Sequence, residues 1–168
     1  MLERTNLEKG YRSLIEKHGY GTTTWSPMAG GFLSGRYNDG VVPEDSRLKG
    51  WDFWGPMLEQ RYFTGAKKEK IIQVCGGLSE LAKELGYSQA VLALAWVIAN
   101  KDVSTLILGF SKLSHLDENV KALELYAKWN KDIEAKIEAI LQNGPEPTVD
   151  FRKFAPIPQR RQISVFEK

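Results

Sequence analysis

The sequence predicts an α/β fold with parallel strands. Two short runs read as strands: "TTTWS" at 22–26, β-branched and aromatic, and "VSTLILG" at 103–109. The second is continuously apolar without alternation, the pattern of a buried strand in a parallel sheet. Helical patterns lie between the two runs, and strands separated by helices pair in parallel. Two short strands do not hold a parallel sheet by themselves. Either further strands have escaped the pattern, or the chain is part of a larger fold.

The elements follow in order. "TNLE" at 5–8 has capping-box spacing, with Thr5 before a helix and Glu8 three residues on. It predicts a helix over 6–18 that ends near Gly19 or Gly21. Strand 22–26 follows and should stop at Pro27, which cannot donate to a ladder. From Met28 to Gly65 the pattern is irregular. Stretches of that length are functional or disordered, and the aromatics Phe32, Tyr37, Trp51, Phe53, Trp54, Tyr62 and Phe63 argue for an ordered, packed loop.

Helix returns over 66–85, where Ile71, Val74, Leu78, Leu81, Ala82 and Leu85 recur at three- and four-residue steps. Gly76-Gly77 weakens it by about 1 kcal/mol per glycine relative to alanine. Gly86 closes it. Ser88 can cap "QAVLALAWVIAN", which is apolar almost all round and should be buried. Asp102 marks the turn into strand 103–109. Ser114 and Asp117 give a second capping-box spacing in "SHLDENVKAL". A last amphipathic helix over 129–142 turns Ile133, Ile137 and Leu141 inward and stops at "NGPEP". The tail 143–168 is Pro-rich and basic, expected to run extended over the surface or to be mobile. No internal repeat is visible.

At 168 residues, one domain is the prior. The balance of 23 Lys+Arg against 21 Asp+Glu gives no footprint for nucleic acid. A single cysteine, Cys75, excludes an internal disulfide and fits a reducing compartment. Its apolar helical setting reads as a buried small residue, not a nucleophile. No apolar run approaches the length of a membrane span, and "MLERTNLEKG" has no signal-peptide core. The expectation is a soluble, cytoplasmic protein with no membrane insertion.

Two stretches carry candidate chemistry. In "LILGFSKLSHLDENVKAL", 106–123, a strand ends at Gly109, where backbone can approach a ligand closely. A helix starts near Lys112, with unpaired amides and a dipole that favour an anion. Ser111 adds a hydroxyl and Lys112 a charge. The stretch reads as a phosphate cradle or as an ordinary capped helix, and the residues alone favour the latter. In "TWSPMAGGFLSGRY", 24–37, Trp25 at the end of a strand could stack on a flat ligand ring or fill a core, and the core reading is the plainer one.

Together and in this order, the two stretches resemble a known family. "TTTWSPMAGGFLSGRYNDGVVPEDSRLKG" is similar to strand seven and the cofactor-covering loop of the aldo-keto reductases. The branch it resembles most holds the voltage-gated potassium-channel β-subunits, whose pattern there is close to TWSPLA-x-G-x-x-SGKY. "YSQAVLALAWVIANKDVSTLILGFSKLSHLDENVKAL" resembles that branch's next helix, strand eight and final barrel helix. The similarity runs from the first residues to about Gly144. The resemblance implies residues 1–144 as the C-terminal part of a (β/α)8 TIM barrel, incomplete in this chain, followed by a tail at 145–168.

The family binds NADPH (or NADP+) across the C-terminal face of the barrel and transfers hydride to a carbonyl. By resemblance, Trp25 stacks on the nicotinamide, while Ser26, Pro27, Met28 and Gly31 line the pyrophosphate path. Ser34, Arg36 and Arg47 reach the adenosine phosphates. Gly109 and Ser111 sit by the 2′-phosphate, with His115, Glu118 and Asn119 around the adenosine. His115 stands where the channel branch usually has glutamine, and Arg36 replaces a lysine, keeping charge but changing geometry. The loop before Arg47 is shorter by two residues.

The family's proton donor is a tyrosine tuned by a lysine, with an aspartate and a histidine in support. Those residues come from the half of the barrel that this sequence does not resemble. No catalytic residue and no metal ligand is assigned here. The implied partners are a carbonyl substrate in the intact protein and either a second copy or the missing N-terminal half. Three readings result, in this order: the cofactor-binding half of a reductase, a channel-subunit-like regulatory NADPH-binding module, and an inactive fragment.

Overall fold

A computed structural model describes residues 1–50 and 52–146, with the backbone alone at Arg47. The predicted tail from 147 onward and Trp51 lie outside the described residues. The chain forms two strands, β1 (Thr22–Trp25) and β2 (Val103–Ile107), which pair in parallel with Trp25 opposite Ile107. The parallel α/β expectation holds for this pair, and no third strand joins it among the described residues.

Around the sheet lie α1 (Arg12–His18), α2 (Arg47–Gly50), α3 (Trp54–Tyr62), α4 (Ala66–Glu84), α5 (Gln89–Ile98), α6 (Leu113–Ala127) and α7 (Lys131–Leu141). The helices make the core. Leu78, Leu81 and Ala82 of α4 meet Val91, Leu92 and Leu94 of α5, Leu125 of α6, and Ile137 and Leu141 of α7, all buried. The periodicity read from 66–85 and 129–142 therefore faces inward as expected. Helix α5 is buried along nearly its whole length, and Ser88 caps it by accepting the Val91 N–H at 3.3 Å. Gly77 has a packing reason: a Cβ there would lie 3.0 Å from Ile140 on α7.

Several sequence expectations need correction. The helix over 6–18 is two pieces, a π-helix at Asn6–Gly10 and then α1, joined at Tyr11. Thr5 does not cap it, because Thr5 is itself helical and makes no side-chain cap bond. Glu8 is taken by Arg4 at 2.8 Å, and Arg4 also reaches Glu138 on α7 at 2.7 Å. The second capping box fails as well. Lys112 is the N-cap of α6 and Ser114 lies inside the helix. The final helix begins at Lys131, not 129, because Asn130 caps it by accepting the N–H groups of Asp132 and Ile133.

Strand β1 ends at Trp25, since Ser26 turns to φ 50°. The stretch 28–65 is less irregular than its sequence: it holds a 3₁₀ segment at Ala29–Ser34 together with α2 and α3. Strand β2 is not buried. Ser104, Thr105 and Ile107 are exposed, because among the described residues helices cover one face of the sheet and leave the other bare.

Candidate functional site

Because β1 and β2 are parallel and in register at Trp25 and Ile107, the chain leaves both strands at the same end of the sheet. The turn after Trp25 and the turn after Leu108 therefore lie side by side. This brings the two candidate stretches, Trp25–Gly31 and Gly109–Ser111, to one edge.

Trp25 overturns the core reading: it is 67% exposed at the strand end. The next residues are unusual. Ser26 and Ala29 have φ near 50°, and Gly30 and Gly31 have φ 69° and 106°. Left-handed backbone costs about 1–2 kcal/mol at a residue with a Cβ, so two such residues in one turn store strain. Such strain collects where backbone must present itself to a ligand. Pro27 is buried beneath this turn, and Met28 and Gly31 are half-buried.

The stretch from Phe32 to Ser46 forms a loop that rises from this turn and is pinned at three points. Tyr37 Oη and Ser46 Oγ lie 2.8 Å apart, and Ser46 Oγ also accepts the Leu48 N–H at 3.1 Å, which starts α2. Asn38 Nδ2 donates to Gln89 Oε1 on α5 at 2.8 Å. The Cys75 thiol donates to the Phe32 carbonyl at 3.3 Å. Phe32 in turn packs its ring against Tyr37, Tyr62 and Phe63 at 4.8–5.0 Å. The predicted ordered loop is present, but Phe53 and Trp54 stay exposed. Burial pushes the Cys75 thiol up to about 11, so it is inert as read.

The loop carries Ser34 and Arg36, both exposed. Ser34 Oγ donates to the Gly31 carbonyl at 2.7 Å. Arg36 pairs with Asp45 at 2.6 Å across the loop. Arg47 begins α2 at the foot of the same loop. Sequence reading missed Asn38, Ser46 and Gln89, which hold this loop. Gln89 is embedded in an apolar helix, with no local pattern to mark it.

At the second strand, Gly109 and Ser111 are exposed, and α6 starts at Leu113 with no side-chain cap on its first amides. His115 is exposed in the first turn, with Glu118 and Asn119 three and four residues on. Glu118 is partly engaged already. Hydrogen bonds from Lys121, at 2.7 Å, and then Ser88 hold its carboxyl below the usual range.

Among the described residues, acid–base machinery is not assembled at this edge. A tyrosine–lysine hydrogen bond does exist, from Lys128 to Tyr87 Oη at 2.8 Å. Lys128 lies just beyond the far end of α6, about 22 Å of helix from the end that follows Gly109. His18 stacks on Tyr20 beside α1. Among the described residues no cluster of His, Cys, Asp and Glu could hold a metal, and no helix is long and apolar enough to cross a membrane.

Residues 1–141 match the model of the aldo/keto reductase family. The chain belongs to the aldo/keto reductase family. Among its relatives is a probable voltage-gated potassium channel subunit beta of Arabidopsis thaliana, 34% identical over 90% of this chain and 44% of the relative. A protein of the same description from Oryza sativa is 36% identical over the same shares. A putative voltage-gated potassium channel subunit beta of Schizosaccharomyces pombe is 41% identical over 86% of this chain and 40% of its own length. This aldo/keto reductase chain thus spans less than half the length of each of these three relatives. The family resemblance read from the two stretches is borne out.

Proposed function

We propose that this chain is the dinucleotide-binding C-terminal part of an NADPH-dependent carbonyl reductase. Residues 1–144 form part of a (β/α)8 barrel. The observation that carries the reading is the shared edge: an exposed indole at the end of β1, a strained left-handed turn, and the uncapped start of α6 beside it. These features suit a dinucleotide. An exposed indole offers a face for a flat ring, and free amides with Ser111 and Lys112 offer donors to a phosphate.

In this reading Trp25 orients the nicotinamide by stacking. Ser26, Pro27, Met28 and Gly31 line the pyrophosphate path. Ser34, Arg36 and Arg47 would hold the adenosine phosphates from the pinned loop, Gly109 and Ser111 the 2′-phosphate, and His115, Glu118 and Asn119 the adenosine. Arg36 must first leave Asp45. That pair is exposed, so opening it costs at most about 1 kcal/mol. NADPH would supply the hydride that reduces a carbonyl to an alcohol. In this reading the proton would come from the part of the intact protein that this chain does not cover.

Calorimetric titration of the 168-residue chain with NADPH tests the reading. Saturable binding, lost in Trp25→Ala and weakened in Arg36→Ala and Arg47→Ala, is the expected result. No saturable heat overturns it for this chain.

The relatives' names favour a second reading, a regulatory subunit that carries the cofactor beside a potassium channel. Specific association with the cytoplasmic domain of such a channel, without measurable aldehyde reduction by the intact protein, would select it.

A further inference from the structure

At the end of the sheet away from Trp25, the two strands begin beside a cleft of about 1280 Å³. Asp102 fixes its place: it directly precedes β2, and its carbonyl accepts the Thr22 N–H of β1 at 2.9 Å. Two half-buried indoles, Trp96 of α5 and Trp129 just before the Asn130 cap, form part of its wall. One of them already carries a cation. The Arg4 guanidinium lies 5.2 Å from the centre of the Trp96 ring, held there by Glu8 at 2.8 Å and Glu138 at 2.7 Å. Among the described residues no cation lies over Trp129. Of the other carboxylates along the cleft, Glu16 pairs with Arg12 at 2.8 Å, whereas Asp102, Glu134 and Glu146 make no ion pair among the described residues. These three come from the strand start, α7 and the segment after it, so their charge is spread along the cleft. Lys9 and Lys101 also border it, but both are exposed, and a long stem lets the ammonium group stand out in water.

We propose that this cleft binds a linear polyamine, an elongated aliphatic cation of the spermidine type. Its ammonium groups meet the carboxylates of Asp102, Glu134 and Glu146, and its methylene segments lie along the indoles. An indole suits both parts, because its face attracts a cation and its body covers apolar carbon. Three observations choose this class. The seating of Arg4 on Trp96 shows that a ring of this cleft takes an organic cation. A compact metal ion needs its ligands converged on one point, and among the described residues no cluster of His, Cys, Asp and Glu provides that. The cleft is longer than a single ammonium head requires, and the separated carboxylates match charges spaced along a chain, while an anion would be repelled by them. The proposal does not depend on the cofactor reading, since the cleft lies where the strands start and the dinucleotide residues lie where they end.

Calorimetric titration of the 168-residue chain with spermidine at physiological ionic strength tests the proposal. Saturable one-to-one binding is expected. Glu134→Gln removes one charge at an exposed position and should weaken binding by about two- to fivefold, the worth of an exposed ion pair. Trp129→Ala should weaken it by about tenfold, with circular dichroism to confirm that the variant stays folded. Glu80→Gln removes the same charge from the exposed side of α4, away from the cleft, and should leave the affinity unchanged. Excess magnesium chloride should not displace spermidine, because Mg²⁺ keeps its water shell and gains nothing from an indole. Absence of saturable heat overturns the proposal. So does displacement by Mg²⁺, or binding that neither Glu134→Gln nor Trp129→Ala alters, since both would reduce the attraction to diffuse surface charge.

Discussion

Helices α6 and α7 are neighbours in sequence and both amphipathic, yet they end differently. Of the large apolar residues of α7, Ile133, Ile137 and Leu141 are buried against α4 and the rest of the helical core, and Ile140 is partly buried there. Those of α6 are divided between a buried pair and an exposed row. The same contrast separates the two layers. The helical layer of α4, α5 and α7 satisfies itself, whereas the two-stranded sheet and the outer side of α6 are unfinished surfaces. A pattern of apolar residues states that a face will be covered. It does not state by what.

The largest effect should come from breaking the covered side. Ile137 is fully buried, so Ile137→Ala removes its contacts and leaves a cavity, costing about 2–5 kcal/mol. Leu123→Ala removes a similar side chain from the exposed row and should change the stability of the isolated chain by no more than about 0.5 kcal/mol. Urea denaturation of both variants measures the difference. Comparable losses would mean that the row is covered in solution.

How much was legible follows the same division. Helices whose partners lie within the chain, 66–85 and 129–142, could be read from period alone, down to which residues face inward. The cap at Ser88 was legible because the residue type and the apolar run agree. The boxes at Thr5 and Ser114 failed because spacing does not reveal competition: Arg4 claims Glu8, and the helix that Ser114 was to cap has its N-cap two residues earlier, at Lys112. Strand β2 looked buried because of the apolar run Leu106–Leu108, while Ser104, Thr105 and Ile107 lie on the face that the described residues leave bare. In the site, the order and glycine content of Trp25–Gly31 and Gly109–Ser111 were legible. The links that pin the loop, Asn38 to Gln89 and Tyr37 to Ser46, join residues far apart in sequence or ordinary in type, and no local pattern announces them.

The pinned loop offers a smaller way to sharpen the contrast between finished and unfinished regions. Gln89 is buried and accepts from Asn38, while Asn38 Oδ1 and Gln89 Nε2 have no other partner among the described residues. Gln89→Leu leaves the Asn38 amide with nothing to bond and should cost about 1–3 kcal/mol. Amide exchange over residues 35–46 should rise in this variant and stay unchanged in α7. The Asn38→Leu, Gln89→Leu double variant should recover much of the loss, because it removes both polar groups.

Cys75 tests the same interior by pH. Its thiol is held up to about 11 by burial, from an ordinary value near 9.0. In the unfolded chain it ionises first, so the native state binds more protons between these values. Stability from this group is complete below about pH 9 and falls as pH rises toward 11. Cys75→Ala should flatten that part of the stability curve. At pH 8 a thiol reagent should label the native chain far more slowly than the urea-unfolded chain.

The smallest effect compares how the two neighbouring helices begin. Asn130 accepts two amide hydrogens at the start of α7, both at 3.0 Å, so Asn130→Ala should cost about 1 kcal/mol. Lys112 holds the corresponding position on α6 with extended backbone, φ −141° and ψ 144°, and no cap bond. That geometry would accept a capping side chain, so Lys112→Asn should stabilise the free chain by up to about 1 kcal/mol. If the open amides of α6 serve a phosphate of NADPH, the same substitution fills their place and removes a positive charge, and it should weaken NADPH binding in calorimetry. A variant more stable yet poorer at binding would separate a helix start left open for a ligand from one that merely lacks a cap. A variant more stable with unchanged affinity would move the phosphate away from α6 and leave Trp25 and the loop arginines as the contacts to examine.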